Sequence, residues 1–207
     1  MLQVNVTRKV DEAEDICSFE LCSADGRPLP PFNAGAHIDI HIAEGLTRQY
    51  SLCNDSKERH RYVISVLKDP ASRGGSAAMH DTISQGQTLS ISEPRNLFPL
   101  AGSARRHLLF GAGIGITPMV AMAHELHHQG ADFELHYSFR SRERAAFIQW
   151  LAQAPFASRV HLHDDSGSPA QKADHRDQFM TAAEHAANDR FTPCCSRAKS
   201  PRLVLDL

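Results

Sequence analysis

No run of residues in this sequence approaches the roughly 18 consecutive apolar positions that a helical membrane span needs. The opening Met1-Leu2-Gln3-Val4-Asn5-Val6 alternates as a strand does and lacks the apolar block of a secretory signal. Cysteine is sparse: five residues, an odd number at irregular positions, which argues against a disulfide framework. A reducing cytoplasm is therefore the expected compartment. An excess of charge of one sign is also missing. The net charge is -2, so no global pull toward nucleic acid or an acidic membrane is expected. There is no internal repeat.

What is present is ordinary for a globular protein: 207 residues, 42% hydrophobic and 22% charged, enough to bury a core. The thirteen histidines are scattered, which suits charge tuning near neutral pH rather than a single site. Turn signals such as Asp25-Gly26-Arg27-Pro28 and Pro30-Pro31-Phe32-Asn33 separate short alternating runs. These runs predict strands at Gln3–Lys9, Ile16–Ser23, His37–Ile42, Arg48–Cys53, Arg61–Leu67 and Thr88–Ser92, with a short helix over Gly75–Ile83. Such a succession predicts a closed or sandwiched antiparallel sheet. Glu93–Pro99 reads as a connector.

The rhythm then changes. His107–Phe110 is a short apolar strand, a glycine-rich loop follows, and a helix is expected from about Thr117 to Gln129. A strand over Phe133–Phe139, a helix over Glu143–Ala154 and a strand over Arg159–His163 complete the pattern of a parallel α/β sheet. From about Asp189 the sequence loses all period, so three strands would leave this sheet partly uncovered. The expected division is 1–102 for an antiparallel β-barrel and 103–207 for an α/β half that looks truncated.

Three features carry chemistry. Gly111, Gly113 and Gly115 stand between a strand and a helix, where bare backbone and the first helical amides suit a pyrophosphate. Thr117 is a candidate cap of that helix and Pro118 suits its first turn. The spacing is not the G-x-G-x-x-G of the dinucleotide fingerprint, and a structural tight turn is the competing reading. Ser138, Arg140 and Arg142, at the tip of the second strand, are placed to meet a ribose or its phosphate, or form a solvated loop. On Arg48-Gln49-Tyr50-Ser51-Leu52, the period of two puts Arg48 and Tyr50 on one face and Gln49 and Ser51 on the other. Arg can grip a phosphate and Tyr can lie on an aromatic ring, although an ordinary half-buried strand explains the same residues. Arg73-Gly74-Gly75-Ser76 offers a second anion seat.

No metal site is expected. Cys17 and Cys22 fall on opposite faces of one strand, Cys194-Cys195 reads as inert, and His161-Leu162-His163 reads as structural in a buried strand. His124, His127 and His128 read as the wet face of a helix.

Taken in order, Arg48-x-Tyr50-Ser51-Leu52, Val66-Leu67-Lys68, Gly74-Gly75-Ser76 with His80, and Gly111-x-Gly113-x-Gly115-x-Thr117-Pro118 resemble the ferredoxin–NADP reductase superfamily. Glu93–Asn96 and Ser141–Phe147 add to the likeness, which is strongest to the phthalate dioxygenase reductase and vanillate O-demethylase reductase group over about residues 2–176. The resemblance implies a flavin, FMN or FAD, held by Arg48, Gln49, Tyr50, Ser51, Val66, Lys68, Gly74, Gly75 and Ser76, with Ser51 beside the reactive ring nitrogen as the catalytic residue. It implies NADH or NADPH on Gly111, Gly113, Gly115, Thr117 and Pro118, flanked by Ser138, Arg140 and Arg142. The implied activity is hydride transfer from NAD(P)H to flavin, with electrons passing to an oxygenase component or a separate ferredoxin. Two departures stand out. The Cys-Gly-Pro of the superfamily has no counterpart beyond Pro193-Cys194-Cys195-Ser196, and the C-x4-C-x2-C of a ferredoxin domain is missing, so no 2Fe–2S centre is expected in this chain. The alternative expectation is a truncated flavin-binding module with little turnover.

Overall fold

The computed structural model describes residues 1–71 and 74–167. Arg73, the cysteines at 194 and 195 and the aperiodic tail lie outside the described residues. The first half is one antiparallel sheet of β1 (Leu2–Ala13), β2 (Ile16–Ser23), β3 (Ala36–Ala43), β4 (Leu46–Ser51), β5 (Tyr62–Leu67), β6 (Thr88–Ile91) and β7 (Arg95–Asn96). The ladder runs β4-β3-β6-β1-β2-β5, with β7 added to β3. Alternation sends Val4, Val6, Phe19, Leu21, Ile38, Ile40 and Ile64 inward, each fully buried. Burying a side chain of this size contributes about 2 kcal/mol. Tyr62 fills the centre edge-on to Phe32, and its hydroxyl donates to Pro30 O at 2.5 Å.

The sheet curls like a barrel without closing its ladder. Across the seam between β4 and β5, Cys53 N–H donates to Val63 O at 2.9 Å, and Val63 N–H donates to the Asn54 side chain at 2.9 Å. The strand expected over Arg48–Cys53 ends at Ser51 because the chain turns there to make this bridge. β1 outruns its expected end at Lys9, continuing to Ala13 through register shifts after Val6 and Asp11. The expected connector at Glu93–Pro99 contains β7, held to β3 through Ala36↔Asn96 and His37↔Arg95.

The second half has three parallel strands, β8 (Arg106–Ala112), β9 (Asp132–Phe139) and β10 (Val160–Asp164), in the order β10-β9-β8. The short helix α1 (Gly75–Asp81) belongs to the first half, and α2 (Ile116–His128) and α3 (Ile148–Gln153) to the second. One face of the parallel sheet buries Leu109, Phe133, Leu135 and Tyr137 against α2. On the other, Phe110, His136 and His161 stack at ring separations of 5.0 and 4.7 Å. β10 is exposed from His161 onward, which corrects the expectation of histidines in a buried strand.

The helix expected over Glu143–Ala154 is broken. A 3-10 turn occupies Arg142–Arg144, and α3 opens only at Ile148, after Phe147 at φ 64. Ala145 and Ala146 are buried, and an uninterrupted helix would not lay them against the core as this bend does. The histidines of α2 form the expected wet face only in part, since His128 is exposed but His124 is sheltered. His124 packs on Trp150 and Phe156 at 5.2 and 5.3 Å, and His128 meets Asp55 of the first half.

Polar and apolar contacts among the described residues join the halves. Glu14 N–H donates to Glu143 O at 2.7 Å, and its carboxylate takes two 3.0 Å bonds from Arg144. Ser56 Oγ donates to Glu125 at 2.7 Å. Gly35, at φ 91, fits under Phe98 and Met122 only because it lacks a Cβ, which would lie 2.0 Å from Phe98 O and 2.9 Å from Met122 Cε.

Gly35→Ala is therefore expected to destabilise the protein by about 3 kcal/mol, through backbone strain plus the clash. Gly26→Ala, at φ 74 with open space around it, should cost only about 1 kcal/mol. Urea denaturation followed by circular dichroism checks the pair, and equal losses would remove the clash from the account.

Candidate functional site

The first cluster forms where β4 meets α1. Arg48 lies opposite Ile40 and Tyr50 opposite Ile38 on β3, so both share a face of the sheet. The Arg48 side chain then passes directly over Gly75. A Cβ on Gly75 would sit 2.5 Å from Arg48 Nε and 2.6 Å from its Cγ. Gly74 precedes the helix at φ 82. Arg48 also donates to Thr47 O at 2.8 Å. The guanidinium and the Gly74–Ser76 backbone thus form one cradle, suited to a phosphate by its charge and its lack of side-chain bulk.

The other expected residues surround this cradle unevenly. Tyr50 is half-buried against the barrel core, and burial pushes its hydroxyl up to about 12. Gln49 is exposed and Ser51 half-buried. Val66 is 1% exposed, so its side chain belongs to the core, and its carbonyl accepts from His80 Nε2–H at 2.8 Å. Lys68 pairs with Asp81 of α1 at 2.6 Å. Ser76 Oγ accepts from Asp69 N–H at 3.1 Å and so holds the loop before the helix.

The second cluster lies at the carboxyl ends of the parallel strands, where open α/β sheets bind ligands. Gly113–Gly115 forms a 3-10 turn leading straight into α2. Gly111 is still within β8, and its Cβ would fall 2.9 Å from Ile116 Cα, so its role is close packing of strand on helix. Gly113, at φ 51, makes the turn. Thr117 is not the cap that its position suggested. Gly115 precedes α2, and Thr117 Oγ1 donates back to Ile114 O at 3.0 Å. Pro118 is buried in the first turn, where its missing N–H costs nothing. Ser138 lies beside Ala112 on the neighbouring strand, followed by the exposed Arg140. Arg142 faces Asp164 at the end of β10, at 3.9 Å, and Asp164 is held below the usual carboxylate range first by Ser166 and then by that charge.

The two clusters meet because β5 runs beside the Gly113–Gly115 turn. Sequence reasoning missed His37, which lies cross-strand from Ser51 and whose buried Nε2 has no hydrogen-bond partner among the described residues. Burial and then the nearby Arg95 hold its ring toward the neutral form. It also missed Lys9, whose ammonium ties β1 to α1 through His80 O at 2.5 Å and Ile83 O at 2.9 Å. Neither has a local signal, since the burial of His37 beside Arg95 and the bonds of Lys9 to His80 and Ile83 depend on residues far away in sequence.

No helix among the described residues is long and apolar enough to cross a membrane. No protein-family model matches the chain. Individual relatives do. A vanillate O-demethylase oxidoreductase of Pseudomonas putida is 60% identical over 165 residues, 80% of this chain and 52% of that one. The chain thus spans about half the length of that relative. Another, from Pseudomonas sp. (strain HR199 / DSM 7063), is 36% identical over 317 residues, taking in 100% of both chains. Those 317 positions exceed the 207 residues here, so the match crosses positions that this chain lacks. Phthalate dioxygenase reductase of Burkholderia cepacia is 40% identical over 206 residues, 99% of this chain and 62% of that one.

Among solved structures, a phthalate dioxygenase reductase described as modular for electron transfer from pyridine nucleotides to a 2Fe–2S centre superposes with TM-score 0.80 and 41% identity. It covers 93% of this chain and 58% of its own. The FAD/NAD-binding domain of a nitric oxide dioxygenase from Vibrio cholerae O1 biovar El Tor gives TM-score 0.71 and 28% identity over 81% of this chain and 76% of its own. With an antiparallel sheet, a parallel nucleotide half and relatives of this identity matched end to end, the chain belongs to the family of vanillate O-demethylase oxidoreductases and phthalate dioxygenase reductases.

Proposed function

We propose that this chain carries the flavin- and nicotinamide-binding part of an NAD(P)H-dependent reductase that feeds electrons to an oxygenase component or a separate ferredoxin. The observation that supports the reading is that β5 lies against β4 and α1, which carry the Arg48–Gly75 cradle, and also against the Gly113–Gly115 turn. The cradle suits a flavin phosphate by its charge and its lack of side-chain bulk, FMN directly or FAD through its pyrophosphate.

A bound flavin supplies the hydride acceptor and a bound nicotinamide nucleotide the donor. The chain's own residues orient and shield. Arg48 neutralises the phosphate, Tyr50 offers its ring as a wall, and Ser51 sits at the end of β4 to hydrogen-bond the ring edge. The turn at Gly113 admits a pyrophosphate against bare backbone, and Arg140 and Arg142 lie where the adenosine end would lie. We place the division between the halves near residue 102, a reading supported by the last antiparallel pairing at Asn96 and the first parallel strand at Arg106. The relatives' names, which describe reductase components of oxygenase and demethylase systems, support the direction of electron flow.

A second reading is a flavin-binding module with little turnover. It is favoured by the three-strand parallel sheet among the described residues and by the positions of the longer relative that have no counterpart here.

The purified protein is expected to show a flavin band that bleaches anaerobically within the mixing time of NADH or NADPH. A band that stays unbleached by both would select the second reading, and no band after reconstitution with FMN or FAD would overturn both. Arg48→Ala should weaken flavin binding about 10- to 100-fold, the loss of one charge-assisted contact. Titration of stripped protein with FMN reads it, and unchanged affinity would remove Arg48 from the phosphate seat.

A further inference from the structure

The far end of α2 carries a cluster that the proposed redox reading does not use. His124 and His128 lie one helical turn apart and share a face, and that face meets the loop after β4. His128 Nε2 is 2.6 Å from Asp55 Oδ2, and His124 Nδ1 is 3.8 Å from the same oxygen. One donor atom from each residue lies within 4.8 Å of the others. The three side chains are 19, 14 and 28% exposed for Asp55, His124 and His128, so they are sheltered yet reachable.

The surroundings aim these groups inward. Asp55 Oδ1 is occupied by Lys57 N–H at 2.9 Å, which leaves Oδ2 turned to the helix. Glu125 is held by Ser56 and by Gln129 at 2.9 Å, and the charge of Glu58 also reaches His124. Two imidazoles and a carboxylate form the donor set of zinc and its first-row neighbours, not of calcium or magnesium, which take oxygen ligands. A tetrahedral shell with bonds of about 2.0–2.1 Å sets donors about 3.3 Å apart. That spacing falls between the two measured separations from Asp55, and side-chain rotation brings the histidines to it.

We propose that Asp55, His124 and His128 bind a divalent metal ion of the zinc class, with water completing the shell, and that the ion clamps the first half to the nucleotide half. At 1.5 Å per residue, His124 stands about 13 Å along α2 from the glycine turn. The ion would therefore brace the helix that presents the turn rather than enter the redox site. A second cluster, Glu134, His136 and His161, is more open, and Arg106 already pairs with its carboxylate.

The protein contains a single tryptophan, and its ring lies 5.2 Å from that of His124. Tag-free, flavin-loaded protein, stripped with a chelator and desalted, is titrated with Cu2+ while Trp150 emission is followed. The expected result is a quench that saturates at one equivalent and is shifted to higher Cu2+ by a large excess of Zn2+. Saturating Zn2+ should also raise Tm by about 3 °C. Asp55→Asn and His128→Asn, both at partly exposed positions, should weaken Zn2+ at least about tenfold in competition while leaving flavin content intact. His136→Gln should leave the quench unchanged. Absence of a stoichiometric quench, or a quench that survives both Asp55→Asn and His128→Asn, would overturn the site.

Discussion

The passage of the Arg48 side chain across the bare backbone of Gly75 is the constraint around which the first half is arranged. It requires β4 to end beside α1, and so requires the sheet to curl until its two terminal strands face each other. A methyl group at position 75 would push the guanidinium away, because Nε and Cγ already occupy the Cβ position. Lys9 and Lys68 reinforce the arrangement from the other side, one gripping the end of α1 and the other its last carboxylate. A polar apparatus of this kind can be held rigid only because the apolar interior beneath it is closely packed.

The second half follows the same logic with different parts. Gly111 lets β8 come within packing distance of Ile116, and that contact sets the direction in which α2 leaves the strand. The turn at Gly113 is therefore positioned by strand–helix packing, not by loop chemistry alone. With β5 running alongside, the wall of the antiparallel sheet comes against the turn.

Much of this was legible in the sequence. The alternation of β2 and β3, the strand–glycine–helix passage at 106–128 and the motif order from Arg48 to Pro118 all correspond to elements that local period and glycine placement determine. What escaped depends on distant partners. The break at Phe147 is a tertiary demand of buried Ala145 and Ala146 on a segment whose propensity is helical. The seam between β4 and β5 is a matter of curvature, which no alternation pattern encodes. Asp55 is 73 residues from His128, so no local pattern shows that His124 and His128 meet it. Thr117 showed the opposite error: a good capping residue in the right place was displaced when the turn advanced the helix start by one residue.

The junction between the halves is built from two materials. At Gly35, Phe98 and Met122 it is a tight apolar fit, indifferent to dissolved ions. At Glu14–Arg144 it is an exposed ion pair, which added salt weakens. Ionic strength thus loosens one side of the joint and leaves the other seated.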